Sequence, residues 1–140
     1  MRGRNDMSTR PKAGNIKLKR AYEPAARDDG MRVLVDRLWP RGVSQADAAL
    51  DHWMKELAPT TALRKWFGHD AARWEEFRRR YADEVRQHPE QFVQLRGWAR
   101  EGSVTLIYAA RDEARNEAVV LRALILGRPT MPRSSAARNG

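Results

Sequence analysis

Apolar side chains recur along the chain in three short runs that predict β-strands. In residues 15–20, Ile16 and Leu18 alternate with lysines, as in a strand with one buried face. Residues 31–36 and 103–108 instead hold consecutive apolar side chains, and β-branched residues favour a strand in the last of these runs. Uninterrupted apolar runs are typical of parallel strands that are covered on both faces.

The segments after the second and third predicted strands carry apolar side chains at three- and four-residue spacing, which predicts helices. The clearest stripe joins Trp74, Phe77, Tyr81 and Val85. The first predicted helix runs from a cap at Ser44 to about Leu57, and the second from Leu63 to Phe67 after a cap at Thr60 or Thr61. The third runs from a cap at Asp70 through the stripe, and the fourth from Pro89 to Gly102. The fifth runs from Glu113 to about Leu126 after a cap at Asp112.

The order of these elements predicts an α/β fold. We expect a small, mainly parallel sheet of about three or four strands, flanked by helices, in a single domain over residues 15–126. In open sheets of this kind, ligands bind beyond the carboxyl ends of the strands. Charged side chains stand at the end of residues 31–36 and shortly after residues 103–108, so we expect these two strand ends to form one site.

The charge of the chain is concentrated at its ends. The 140 residues carry a formal net charge of +9, of which residues 1–14 and 127–140 each hold +3. Few apolar residues accompany that charge, which predicts disordered basic tails. Solvated tails are the favoured interpretation, and weak contact with nucleic acid is the alternative. The arginines that follow Asp70 alternate with acids at ion-pair spacing, which also indicates a solvated helix face.

Composition excludes several kinds of chemistry. The chain has no cysteine, and therefore no disulfide or thiolate. Its three histidines do not fall at metal-ligand spacing, and no glycine-rich phosphate loop is present, so we expect neither a metal nor a cofactor. No apolar run approaches the roughly 18 residues of a membrane span. We therefore expect a cytoplasmic protein without membrane contact, and the sequence leaves its oligomeric state open.

The first candidate group follows the second predicted strand. Asp36 could exchange a proton or bind a ligand hydroxyl or amine, and Arg37 and Arg41 could bind a phosphate or carboxylate. The alternative is that Asp36 pairs with one arginine and braces the loop. Trp39, which precedes a proline, could stack on a planar ligand, but burial in the core is the favoured interpretation of this tryptophan.

The second candidate group lies between two predicted helices, in residues 64–70. His69 is the best candidate in the chain for an acid–base group near neutral pH. Arg64 is a candidate anion ligand. Asp70 could orient His69, although a plain helix cap is the favoured interpretation of Asp70.

The third candidate group follows the third predicted strand. Tyr108 could offer its hydroxyl at the end of that strand. Asp112 and Asn116 could orient a ligand at a helix N-terminus, where free N–H groups favour an anion. For Asp112, a purely structural cap is an equally good interpretation.

The segments described above resemble the DUF488 family, and within it the YeaO-like branch. The residues that carry the resemblance are Val35 to Gly42, Trp53, Ala58, Pro59, Leu63 to Asp70, Trp74, Phe77, Tyr81, Thr105 to Asp112, Asn116 and Ala118. The resemblance covers about residues 15–126. It implies a small, cytoplasmic, bacterial or archaeal protein, and it offers no established activity to carry over. Thr60 stands where serine is more common in the family, which keeps a hydroxyl at that position.

Two main hypotheses of function follow. In the first, an anion- or phosphate-accepting pocket at the carboxyl ends of the strands binds, or acts on, a small phosphorylated or nucleotide-like ligand. The candidates for catalysis are Asp36, His69 and Tyr108, and those for ligand binding are Arg37, Trp39, Arg41, Arg64, Asp112 and Asn116. In the second, the chain is a non-enzymatic nucleic-acid-associated or regulatory protein that acts through its basic tails. A protein–protein module is a third interpretation.

Overall fold

A computed structural model describes residues 10–128 and places four parallel strands in one sheet. The strands are β1 (Ile16–Arg20), β2 (Met31–Leu34), β3 (His52–Trp53) and β4 (Val104–Tyr108), and their order in the sheet is β1-β4-β2-β3. Val104 of the buried strand β4 is paired with Ile16 on one side and with Met31 on the other. The predicted α/β fold, with a small parallel sheet in a single domain, is confirmed.

Within residues 10–128, five α-helices flank the sheet. They are α1 (Gln45–Ala48), α2 (Thr61–Phe67), α3 (Trp74–Arg86), α4 (Pro89–Glu101) and α5 (Glu117–Ile125). The Thr60 side chain accepts a hydrogen bond from the backbone at the start of α2, and Gly68 ends that helix with φ of 52°. Asp70 caps a single 3-10 turn that leads into α3, and Pro89 occupies the first turn of α4. The predicted caps at Thr60 and Asp70 are therefore present.

The predicted helix over residues 44–57 is wrong beyond its first turn. Helix α1 ends at Ala48, and Ala49 adopts left-handed backbone angles with φ of 47°. The chain then extends into β3 at the edge of the sheet. The cause is tertiary, because the buried guanidinium of Arg32 donates to the Ala48 carbonyl from Nε (3.0 Å) and Nη2 (2.8 Å). Bonds from the rest of the fold thus override the helical spacing of the segment.

The last helix begins later than the sequence predicts. Asp112 does not cap it, because the Asp112 carboxylate accepts hydrogen bonds from the backbone two and three residues later and closes a local turn. Such a turn competes with a helix for the same N–H groups. Helix α5 starts at Glu117, and its cap is Asn116, whose Oδ1 accepts from the N–H of Val119 at 3.1 Å.

The two faces of the sheet are covered unequally. Helices α2 to α5 pack on one face and form the larger core, which includes Val33, Leu106, Phe77, Tyr81, Leu121 and Ile125. The other face carries a smaller cluster of Ala21, Leu34 and Ile107, against which Trp39 and Trp53 pack. Beside this smaller cluster lies a buried acid, Asp29, which pairs with Lys19 at 2.9 Å and with Arg32 at 2.5 Å.

The arginine-rich face of α3 is paired with acids on the same helix. Arg78 contacts Glu75 at 3.1 Å, Arg80 contacts Glu76 at 2.8 Å, and Arg86 contacts Asp83 at 2.8 Å. Residues 1–9 and 129–140 of the predicted tails lie outside the described residues. Across residues 10–128, the helices are too short or too polar to cross a lipid bilayer.

Candidate functional site

The two charged strand ends that the sequence singles out lie side by side. Strands β2 and β4 are parallel neighbours, so their carboxyl ends share one edge of the sheet. Beyond that edge, Oδ2 of Asp36 accepts a hydrogen bond from the N–H of Ala109 at 2.9 Å. This bond joins the segment after β2 to the segment after β4 and fixes the direction of the Asp36 carboxylate.

A cavity of about 220 Å³ opens beside this bond. Its polar lining consists of Asp36, Arg64, His69, Arg115, Asn116 and Glu117. Apolar walls come from Pro59, Phe67 and Phe77, and the rings of Phe67 and Phe77 stack at 4.5 Å. Three separate parts of the chain therefore converge on one small, partly apolar space at the carboxyl edge of the sheet, which is where open α/β sheets place their ligands.

Glu117 is the site residue that the sequence analysis missed. It is only 7% exposed, and its Oε2 has no hydrogen-bond partner in the part of the chain that the structure describes. Burial raises the pKa of Glu117 well above its ordinary value, and the negative charge of Asp36 raises the pKa further. A signal for it exists in the sequence, because Glu117 precedes Leu121 by four residues and Ile125 by eight, on the buried stripe of α5.

Asp36 and Glu117 form an acid pair on the sheet side of the cavity. Two carboxylates near each other in a buried space repel, so one of them keeps its proton near neutral pH. The raised pKa identifies Glu117 as the group that holds this proton. A neutral acid beside an ionised one can donate and accept hydrogen bonds at the same place, or can serve in acid–base chemistry.

The basic side chains of the cavity lie nearer to solvent. Arg64 is exposed on α2, and within residues 10–128 its guanidinium has neither a hydrogen-bond acceptor nor an ion-pair partner. Arg115 is also exposed and contacts Asp112 at 3.2 Å. His69 follows α2 with φ of 59°, and its ring centre is 6.1 Å from that of Phe67. These groups give the rim of the cavity a positive character.

Four of the predicted site residues, Asp36, Arg64, His69 and Asn116, line the cavity, and five do not. Arg37 donates to the carbonyl oxygens of Pro59 (3.0 Å) and Ala58 (3.1 Å) and so ties the loop before α2 to the sheet edge. Arg41 is exposed, and Asp112 closes the turn described above.

Tyr108 and Trp39 are held away from the cavity by packing. Tyr108 is 3% exposed within the larger core, and burial raises the pKa of its hydroxyl. Trp39 donates from Nε1 to the Val43 carbonyl at 2.6 Å and meets Trp53 edge-on, with ring centres 5.5 Å apart. Together with His52 these two tryptophans line a separate surface depression.

Asn116 links the cavity to the stability of α5. Besides capping the helix, its Nδ2 donates to the Asp112 carbonyl at 2.9 Å, and the side chain is buried. We expect Asn116→Ala to lower the free energy of unfolding by about 1–2 kcal/mol, measured by urea denaturation, because the cap is lost. Asn116→Ser keeps an oxygen acceptor and should lose less. Equal losses in the two variants would contradict the capping role.

Within residues 10–128, no group of three or more His, Asp or Glu side chains is arranged to hold a metal ion. The chemistry of the cavity therefore has to be argued from the side chains that line it. It consists of an acid pair, two arginines, a histidine and two stacked phenylalanines.

The chain is similar to a family and to several proteins that it matches over most of their length. A family model described as "Inactive DUF488-N3 subclade" matches residues 15–137. Uncharacterized protein YeaO of Escherichia coli is 45% identical over 107 residues, which are 76% of this chain and 93% of that protein. Uncharacterized protein Rv3073c of Mycobacterium tuberculosis and Mb3100c of Mycobacterium bovis are each 39% identical over 113 residues, 81% of this chain and 95% of theirs. No solved structure matches the chain.

Proposed function

The chain belongs to the DUF488 family, as its sequence motifs indicated, and it matches the subclade described as inactive; from this premise we propose that it is a small-ligand-binding protein. Its ligand carries a phosphate or carboxylate group, which binds at the arginine-lined rim of the cavity beside Asp36 and Glu117. The description of the subclade favours binding without turnover.

The observation that carries this proposal is a cavity that holds a buried polar atom without a partner. Within residues 10–128, the buried Oε2 of Glu117 has no hydrogen-bond partner, and Glu117 lines the same space of about 220 Å³ as the exposed Arg64. Buried polar atoms in folded proteins are nearly always hydrogen-bonded, so the exceptions call for a partner. Cavities for drug-sized ligands begin at about 300 Å³. The size of this one supports a metabolite-sized ligand.

Acid–base catalysis is the second candidate function, and the acid pair is the observation that favours it. Asp36 and Glu117 provide an ionised and a neutral carboxyl group in one cavity, and His69 lies at its rim. This candidate requires that a bound ligand be converted to product by the wild-type chain. Turnover that is lost in Glu117→Gln would favour it over simple binding.

The net charge of +3 on each of residues 1–14 and 127–140 suggests an alternative function, which is contact with nucleic acid through these segments. Such binding would respond differently to salt and to truncation than binding of a ligand in the cavity. Binding to a polyanion should weaken steeply with salt and should disappear when both segments are removed, while binding in the cavity should persist.

The proposal predicts that Arg64→Ala will weaken binding of the anionic ligand by about tenfold or more, because a charge-assisted hydrogen bond contributes roughly 1.5–3 kcal/mol. A thermal-shift screen with inorganic phosphate, sugar phosphates, nucleoside monophosphates and carboxylates identifies probes, since a ligand of the folded state raises the melting temperature. Calorimetry then gives the dissociation constants.

The control variant is Arg79→Ala. Arg79 is exposed on α3, pairs with Glu76 and lies away from the cavity, but its removal changes the net charge by the same amount. Binding should be unchanged in this variant. The proposal would be overturned if no probe bound at millimolar concentration, or if both variants lost the same affinity.

A further inference from the structure

The cavity is polarised from its sheet side to its rim. Of its charged lining residues, Asp36 after β2 and Glu117 at the start of α5 are the less exposed, and the arginines Arg64 and Arg115 are exposed. The Asp36 carboxylate is held in place by the N–H of Ala109 at 2.9 Å. A ligand with a single negative group would satisfy the arginines, but it would bring no further donor to the two acids, which otherwise share the proton of Glu117 and the N–H of Ala109.

Within residues 10–128, no N–H or hydroxyl group donates to the buried Oε2 of Glu117, and the side-chain hydrogen bond of Glu117 is to the Asp36 carboxyl group. The ionisable groups that interact with Glu117 include Asp36 after β2, Arg64 on α2, Tyr81 on α3 and Tyr108 at the end of β4. Asp36 accepts and cannot donate when ionised, and the Tyr81 hydroxyl already donates to the Leu57 carbonyl. The charge of Arg64 acts to lower the pKa of Glu117, but burial and Asp36 outweigh this effect.

We propose that the cavity recognises a zwitterionic ligand, with an ammonium group against Asp36 and Glu117 and a phosphate or carboxylate against Arg64 and Arg115. This inference rests on the proposed function, since it specifies the chemical class of the ligand in the same cavity. An ammonium group has three donors, which match two converging carboxyl groups. At about 220 Å³, the cavity is smaller than the roughly 300 Å³ at which sites for drug-sized ligands begin, so it suits a small zwitterion.

Charge balance requires a proton to leave when such a ligand binds. In the free protein, the raised pKa of Glu117 keeps a proton on the acid pair to higher pH than an isolated carboxyl group would. The entering ammonium favours the ionised form of Glu117, and the displaced proton passes to the solvent. Calorimetry in buffers with different ionisation enthalpies should therefore detect the release of up to one proton per ligand near neutral pH.

The test uses isosteric probes that differ only in the amine. O-Phosphoethanolamine is compared with n-propyl phosphate, and β-alanine with butanoate, while ethanolamine supplies the amine without the anion. At least one of the two zwitterions should bind the full-length chain at least tenfold more tightly than its amine-free partner. In Glu117→Gln that preference should disappear, while affinity for the amine-free anion should be kept or improved.

The outcomes separate this inference from the proposal on which it rests. If anions with and without the amine bound equally, anion binding in the cavity would stand and the zwitterion would be overturned. If ethanolamine bound as tightly as O-phosphoethanolamine, the role of the arginines would be overturned. If none of the probes bound at millimolar concentration, both proposals would fail. Gln is nearly isosteric with Glu, so the Glu117→Gln variant should fold, and unfolding curves can verify that it does.

Discussion

Replacement of Asp29 by alanine should lower the free energy of unfolding by about 3–5 kcal/mol, because it leaves a buried charge without its partner. Asp29 is 2% exposed and accepts from Lys19 Nζ (2.9 Å), Arg32 Nη1 (2.5 Å) and the N–H of Ala26 (2.9 Å). Arg32 is only 3% exposed and cannot turn to solvent without breaking its bonds to the Ala48 carbonyl. Guanidinium chloride denaturation of the variant measures this loss.

The neighbouring acid provides a matched control. The side chain of Asp28 is 80% exposed and contacts Lys17 at 3.3 Å, in an ion pair open to solvent. Such pairs contribute about 0–1 kcal/mol, so Asp28→Ala should have a small effect. A loss in Asp29→Ala no greater than that in Asp28→Ala would show that the buried pair does not stabilise the fold.

The contribution of Asp29 should also depend on pH. Burial alone would raise its pKa, but the hydrogen bonds from Lys19, Ala26 and Arg32 outweigh burial and lower the pKa below 3.8. The folded state therefore binds the Asp29 proton less readily than the unfolded chain does. Its stabilising effect is complete above the unfolded pKa and is lost as the pH falls through the lowered folded value. At acidic pH the difference between wild type and Asp29→Ala should shrink.

The same network explains what could and could not be predicted about the fold. Strands β1, β2 and β4 carry strong local signals, namely alternation in β1 and continuous apolar runs in β2 and β4, and each was located within one or two residues. Strand β3 has two residues and no such signal. It exists because it pairs with β2 and because Arg32 ends α1 at Ala48, and both contacts join residues distant in sequence.

The cavity was predictable in outline and not in detail. The parallel order of β2 and β4 follows from the sequence of elements, and this order brings Asp36 and Asn116 to one edge. The direction in which each side chain points does not follow from the order of the elements. Arg37 carries the right charge for an anion site, but its guanidinium is occupied by two backbone carbonyls. Glu117 was overlooked because an acid in the first turn of a helix ordinarily needs no explanation beyond the helix dipole.

Wild-type stability should fall as the pH rises above the ordinary glutamate pKa of 4.5, and Glu117→Gln should abolish that part of the fall. In the unfolded chain Glu117 loses its proton near its ordinary pKa of 4.5, whereas burial keeps the proton on the folded protein to higher pH. The folded state then binds more protons than the unfolded state, so the free energy of unfolding decreases with pH by up to about 1.4 kcal/mol per unit. The decrease should end once Glu117 ionises in the folded protein.

Denaturation curves between pH 4 and pH 9 give the free energy of unfolding of Glu117→Gln and of wild type, and the quantity of interest is the difference between them at each pH. The difference should be constant at the acidic end, where Glu117 is protonated in both states, and should grow in favour of Glu117→Gln above pH 4.5. Contributions from groups such as Asp29 cancel in the difference. The control is Glu113→Gln, which removes an exposed acid from the preceding turn and should leave the slope unchanged.

A site that destabilises its own fold is expected where polar groups are kept for a ligand. A buried carboxyl group without a protein donor reduces stability, and replacement by an amide of the same shape should relieve part of that cost near neutral pH. A bound ammonium group should relieve it too, so the zwitterionic probe should flatten the pH dependence of wild-type stability and leave that of Glu117→Gln unchanged. Parallel curves for the two proteins without ligand would instead mean that Glu117 ionises as freely in the folded state as in the unfolded chain, with water satisfying its Oε2.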